Sequence, residues 1–424
     1  MIGSFPSKVI LGLCIAGIIF GISCPRALAQ QAGNNGQLSE LSLDGCIQLG
    51  LANQPAMAAA QSSLDAAEWA AHGLMNLPRV AGLLSHDLPY RRQQACLGVT
   101  IAQAALDQAE WETRYAITRN FFSVVYARDQ VKVVSDVIIK LNNARTQVKK
   151  ILDEGTDPKT TKNDLRNLDI QIALVRLRLT EAAAGIDRAN AALREAIGVG
   201  REYQFVVPKN ARLPDPVLEL DLDELVAMGL DRRGEMVQAN AAEQVTNLEV
   251  YAQGRSHKIQ TPTFANGGDV HAKPIPQGVA NNEYRPGALG LEMPPYLTGK
   301  KPDRVQRARA YHDRAGAVVD KTQNLIVLEV EANYYKWKEA LDKVTILKKV
   351  LADADAVADS VTKQFNNKEK GITGADLIRA RTQADQVKAQ YNEALYNHAL
   401  ALAALERVTA GGYRPTYEAR RKKD

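Results

Sequence analysis

"LSLDGCIQLGLANQPAM" spans residues 41–57, and "LDLDELVAMGLDRRGEM" spans residues 220–236. Superimposed, they match Leu41 with Leu220, Leu43 with Leu222, Asp44 with Asp223, Gly50 with Gly229, Leu51 with Leu230 and Met57 with Met236. The spacing of about 180 residues far exceeds the 20–50 residues usual for a solenoid module. The chain is therefore expected to contain two copies of one whole structural unit.

Working outward from these openings, almost everything reads as helix. Leu377, Ala380, Ala384, Val387, Tyr391, Ala394, His398, Ala401, Leu405 and Val408 recur in steps of three and four, which is a heptad seam. At a constant offset of 212 residues stand Leu165, Leu168, Ile172, Val175, Leu179, Ala182, Ile186, Ala189, Leu193 and Ala196. Longer seams precede both: Ile117, Phe121, Val124, Val131, Val134, Ile138, Leu141, Val148 and Leu152 in the first copy, and Val327 through Phe365 in the second. Val131 to Val134 and Val344 to Leu347 share the same irregular step, which locally changes the supercoil. Arg128 and Arg145 interrupt the first seam and are expected to lay their stems in the groove with their heads in water.

Each seam pair is joined by a glycine-containing turn, "DEGTDPKTTKND" at 153–164 and "NKEKGITGAD" at 367–376. Glycine can take the positive φ that ends one helix, and Asp164 or Asp376 can cap the next. Each copy is thus expected to hold a hairpin of two helices of roughly 40 to 60 residues. Heptads alone leave a plain coiled coil open. The helix that begins near Cys46 is expected to run to about Gly73. Non-helical inserts are expected at 76–94 and 256–303, with an irregular connector at 199–216.

The first thirty residues carry Lys8, an apolar run from Val9 to Ile22, and Ala27-Leu28-Ala29. That order is a secretory signal peptide, with cleavage expected after Ala29 and lipidation at Cys24 as the rival. Cys46 and Cys96 remain, too far apart along the expected helices for a disulfide, and are expected as two free buried thiols. A net charge of +5 against 53 basic and 48 acidic side chains gives no sign of a nucleic-acid partner. The tail Arg420-Arg421-Lys422-Lys423 reads as a solvated end. Trp69, Trp111 and Trp337 read as packing residues. "GGDVH" at 267–271 lacks further ligands at metal spacing.

Taken together, the duplicated openings, "ADLIRARTQ" at 375–383, and the closings "AALREAIGVG" at 191–200 and "AALERVTAGG" at 403–412 resemble the outer-membrane efflux protein family, the TolC-like channels. Asp376-Leu377-Ile378-Arg379-Ala380 is similar to the Asp-Val-Leu-Arg-Ala that follows the hairpin turn there. The resemblance implies a mainly α fold of two tandem repeats, each a shorter helix plus a long coiled-coil hairpin with short β or irregular inserts, forming a TolC-like α-barrel protomer. The implied division is signal peptide 1–29, first repeat 30–200, connector 201–219, second repeat 220–412 and basic tail 413–424. It further implies a homotrimer in the outer membrane and periplasm that conducts solutes passively, without catalysis, cofactor or metal. The partners would be a periplasmic adaptor and an inner-membrane pump. The adaptor-docking tips would be Gly155, Thr156, Asp157, Gly371, Ile372, Thr373 and Asp376.

The inserts depart from the family pattern. A barrel strand needs about 9 to 11 alternating residues, yet Pro78, Pro89, Arg91 and Arg92 fall in the first insert, and seven prolines fall in 256–303. Most of the second insert is expected to be irregular, with at most 287–293 pairing as strand with part of 79–88. The alternative function is a periplasmic helical tube or scaffold of the same ancestry with a degenerate β-barrel.

Overall fold

The computed structural model describes residues 39–155, 161–264, 290–367 and 373–417. The signal peptide at 1–29 and the tail beyond Tyr417 lie outside the described residues. Strand β1 (Ser39–Glu40) leads into α1 (Leu43–Asn53) and α2 (Pro55–Met75), followed by the short α3 (Arg79–Leu84). The first hairpin is α4 (Leu88–Glu154) and α5 (Lys162–Ile197). Strand β2 (Phe205–Val206) pairs parallel with β1 in the connector. The second copy repeats the plan with α6 (Leu222–Arg232), α7 (Gly234–Arg255), β3 (Gln260–Pro262), β4 (Tyr296–Thr298), α8 (Lys301–Asn366) and α9 (Gly374–Val408).

Both openings form the helices expected of them, but each breaks after 11 residues. Gln54 and Arg233 hold extended backbone at the breaks. Pro55 has no amide hydrogen to donate, so it suits the first position of a new helix and not the interior of a continuing one. The helix expected to run from Cys46 to Gly73 is therefore two helices. The hairpins are also less even than expected: α4 and α8 have 67 and 66 residues, α5 and α9 only 36 and 35.

The breaks explain the inequality. Gln54 Nε2 donates to the carbonyls of Glu195 and Ala196 at the end of α5, so α2 starts where α5 stops. Gly198 closes α5 at φ +76°, and a Cβ there would lie 2.7 Å from the Asn53 carbonyl oxygen. Only glycine allows both the turn and the approach. Together α2 and α5 match the length of α4 to within about ten residues, and α7 with α9 match α8 as closely. Four columns result: α4 packs between the α2/α5 column and the α7/α9 column, and α8 packs on the outer side of α7/α9.

The waist, where the jointed columns meet, holds the main core. Ile117, Phe121, Phe122 and Val125 of α4 pack there with Cys46, Leu193, Ile197 and Ala399. Each large apolar side chain buried there contributes about 1.5–3 kcal/mol. Burial pushes the Cys46 thiol up to about 12, leaving it inert. Tyr417 tilts its ring against Phe122 and donates to Glu406 Oε2 at 2.6 Å, so the segment to Tyr417 packs into the waist. Arg128 reaches the Pro208 carbonyl at 2.8 Å and thereby fastens the connector instead of pointing into water.

Three further expectations fail. Cys96 is free but exposed, because α4 begins at Leu88 and turns that position outward. Trp69 is 71% exposed, while Trp337 is buried as expected. The first insert is not irregular through 94: Pro89 starts α4, and α3 occupies the centre of what remains.

Candidate functional site

The tips are built from local caps. Gly155 ends α4 at φ +63°, as its place in the turn predicts. The following helix opens with Thr161 as N-cap, whose amide and hydroxyl both donate to Asp164 Oδ2. The second copy repeats the device: Asp376 N donates to Thr373 Oγ1 at 3.3 Å, and Thr373 N donates to Asp376 Oδ2 at 3.0 Å. These are capping boxes. Threonine is therefore the cap, and the two aspartates stand three residues inside instead of capping the helices themselves. The hydrogen bonds from the Thr373 hydroxyl and amide hold the Asp376 carboxyl below its ordinary value.

Of the expected docking residues, Gly155, Thr373 and Asp376 are at the tips, while Thr156, Asp157, Gly371 and Ile372 lie outside the described residues. Beneath the tips the two hairpins share one core, with Leu141, Val148, Leu168 and Ile172 packed against Phe365 and Leu377. Beside that core runs a groove of about 600 Å³ between α5 and α9, lined by Asp164, Asn167, Gln171, Arg379, Thr382 and Gln383. Sequence reasoning missed the groove and the Thr161–Asp164 box. A T-x-x-D before an apolar run was the available signal for the box.

The waist carries a buried ion cluster that was also missed. Arg233, at the break of the second copy, pairs with Glu235 at 2.6 Å and with Glu329. Arg407 pairs with Glu329 and, at 2.9 Å, with Glu112. Burial opposes the Arg233 charge, but the Glu235 and Glu329 carboxylates outweigh it and raise its pKa. The cluster joins α4, α7, α8 and α9 at one level.

At the far end the inserts meet. The rings of His86 and His257 lie 5.5 Å apart, edge to face, and Arg91 donates to the Pro262 carbonyl at 2.7 Å and pairs with Glu249. Strands β3 and β4 pair antiparallel over three residues each. The expected pairing of 287–293 with 79–88 does not form: 79–84 is helix, and 287–289 lie outside the described residues. From the paired strands both arms turn back along the helices. Phe264 stands over Gly98, and Arg314 Nε donates to the Gly290 carbonyl at 3.1 Å. These helix residues are roughly 15 and 20 Å from the starts of α4 and α8.

Arg92 likewise holds the Leu74 and Leu77 carbonyls, and Arg304 those of Gly299 and Ser256. The described arms are thus pinned to the helix ends by arginines. Among the described residues, no helix is long and apolar enough to cross a membrane, and no group of three metal-ligating side chains occurs.

The same column plan exists in solved proteins. The outer-membrane channel OprN superposes with a TM-score of 0.68 at 15% identity, covering 88% of this chain and 91% of that one. The fold is that of the TolC-like outer-membrane channels. VceC, an outer membrane protein of Vibrio cholerae, superposes at 0.64 with 14% identity over 88% of this chain and 97% of its own. CusC, whose structures are described in terms of transmembrane channel formation, superposes at 0.65 with 12% identity over 88% and 93%. No family model and no curated protein matches the sequence. The TolC-like plan therefore rests on the arrangement of columns and not on shared side chains.

Proposed function

We propose that the chain is one subunit of a homotrimeric TolC-like conduit that passes solutes outward through the periplasm towards the outer membrane. The observation that carries this reading is the pair of free edges on the four-column layer. On α5, Ile170, Leu174 and Leu177 are 57%, 49% and 63% exposed, on the side of the helix away from buried Leu168 and Ile172. On α8, Ile346, Val350 and Val357 are 62%, 40% and 54% exposed. Measured from the tips, the two stripes begin about 12 and 14 Å in and end about 23 and 30 Å in. Apolar stripes at the same depth on opposite edges of one layer fit each other in a neighbouring copy, and a head-to-tail contact of that kind closes into a ring.

In this reading the tips and the α5–α9 groove dock a periplasmic adaptor bound to an inner-membrane pump, which selects the solute. The repeats divide at the connector near 201–219, and the chain takes no part in catalysis. Mass measurement of the native complex tests the ring. Wild type is expected as a trimer, and I346D with L174D as a monomer of unchanged helicity; a monomeric wild type ends the proposal.

A second reading, a periplasmic tube with a reduced membrane end, is favoured by the inserts. Among the described residues the first insert holds no strand, and the second holds strands of three residues that reach only about 10 Å, against a hydrocarbon core of about 30 Å.

A further inference from the structure

We propose that the insert end carries a lipid site: the cleft between the two inserts takes an acyl chain of an anionic phospholipid, and its rim seats on the bilayer surface. This names the partner of the membrane end and rests on the tube reading above. The cleft measures about 490 Å³, within the usual range of small-molecule sites. Its walls are largely apolar, with Leu74, Leu77 and Ala81 from the first copy facing Pro262 and Phe264 from the second.

Two cations border the cleft, and they differ. Arg91 is occupied, since Glu249 and Asp87 pair with it and the Pro262 carbonyl accepts from it. Lys258 also lines the cleft and is exposed. It pairs with no carboxylate among the described residues. Lys258 is therefore the group free to meet a phosphate.

The surroundings point to a bilayer and not to a free lipid. Met75, Val80, Ile259 and Tyr296 are 44%, 63%, 76% and 52% exposed around the same end. Arg255, Lys300 and Lys301 are exposed there too, with Asp303 as their acidic neighbour. Apolar tips set among cations match the boundary between acyl chains and anionic headgroups, where such surfaces bury roughly 5–10 Å deep. That depth suits the short reach of β3 and β4. A closing ring would repeat the rim around its circumference and multiply its affinity.

The test uses the full-length protein and flotation with vesicles of phosphatidylcholine, with and without about a third phosphatidylglycerol, a fraction chosen to give a strongly negative surface. Wild type is expected to bind the anionic vesicles at least about tenfold better, and to leave them on alkaline carbonate extraction. The V80D/I259D variant and the K258E/K300E/K301E variant should each lose about tenfold or more in binding, with circular dichroism and complex mass unchanged. An A81W variant, which fills the cleft, should carry less co-purifying phospholipid than wild type. Wild type that resists carbonate, which marks a spanning protein, overturns the proposal. So does a V80D/I259D variant that floats like wild type, or an A81W variant that keeps its lipid. Apart from the mass control, none of these readouts involves the ring edges or the tips, so a failure here leaves the trimer reading to its own mass test.

Discussion

Helices α4 and α8 differ by one residue in length, and α5 and α9 also differ by one. The segments that feed the long hairpins have diverged instead. In the first copy a six-residue helix fills the gap between α2 and α4; in the second, the described residues between α7 and α8 form a two-stranded ribbon whose arms fold back on the helices. A hairpin whose seam must stay in register over some tens of ångströms cannot change length without shifting every contact beyond the change. An insert held by side chains gripping carbonyls carries no such register. The lesson is that length is constrained where packing is periodic and free where it is not.

The junctions differ in a second way, which is open to measurement. In the first copy the neutral side chain of Gln54 caps α5; in the second, Arg233 sits at the corresponding break inside the ion cluster. R233Q gives the second junction the residue of the first and removes the buried cation that Glu235 and Glu329 share. It should cost about 3–5 kcal/mol in urea unfolding, whereas Q54A should cost about 1 kcal/mol. Equal costs would break the distinction between the junctions.

His398 sharpens the comparison further, because Ile186 holds its place in the first copy. The ring is fully buried, and burial lowers its pKa from 6.5 to about 4. In the unfolded chain the imidazole takes a proton at a higher pH than it does in the fold. Stability is then complete above about pH 6.5 and falls as pH drops towards 4, by up to about 3 kcal/mol. H398I should flatten that part of the pH profile; an unchanged slope would assign it to other groups.

The smallest effect concerns the two caps. T161A and T373A should each cost about 1 kcal/mol and agree to within a few tenths. The Asp376 contribution is full above the ordinary carboxylate range near pH 4 and disappears as pH falls through its lower folded value. A large inequality between the two alanine variants would mean that the tips are not equivalent.

Much of this plan was readable in the sequence. The matched openings gave the duplication, the three-and-four steps gave the hairpins, and Gly155 gave its turn, because each depends on neighbours a few residues away. Pro55, Pro89 and Pro302 all stand at helix starts, where their missing amide hydrogen does no harm. Placing Pro89 inside a non-helical insert put the start of α4 too late. The ion cluster and the arginine grips on the inserts were not legible, since Arg407 meets Glu112 across 295 positions and no periodicity records it. The α5–α9 groove was hidden for the same reason: its two walls come from different copies.

The waist has one more consequence, and it concerns timing. Its ion cluster needs Glu112, Arg233, Glu329 and Arg407, and its core near Phe122 takes in Ala399 and Tyr417. A chain made from its amino terminus holds only part of that set until Tyr417 has been added. Each hairpin can zip early from its own tip, but the layer cannot lock until residue 417 has arrived. Final assembly is thereby postponed until the second repeat is complete, and a chain cut short of Tyr417 has no way to close its centre.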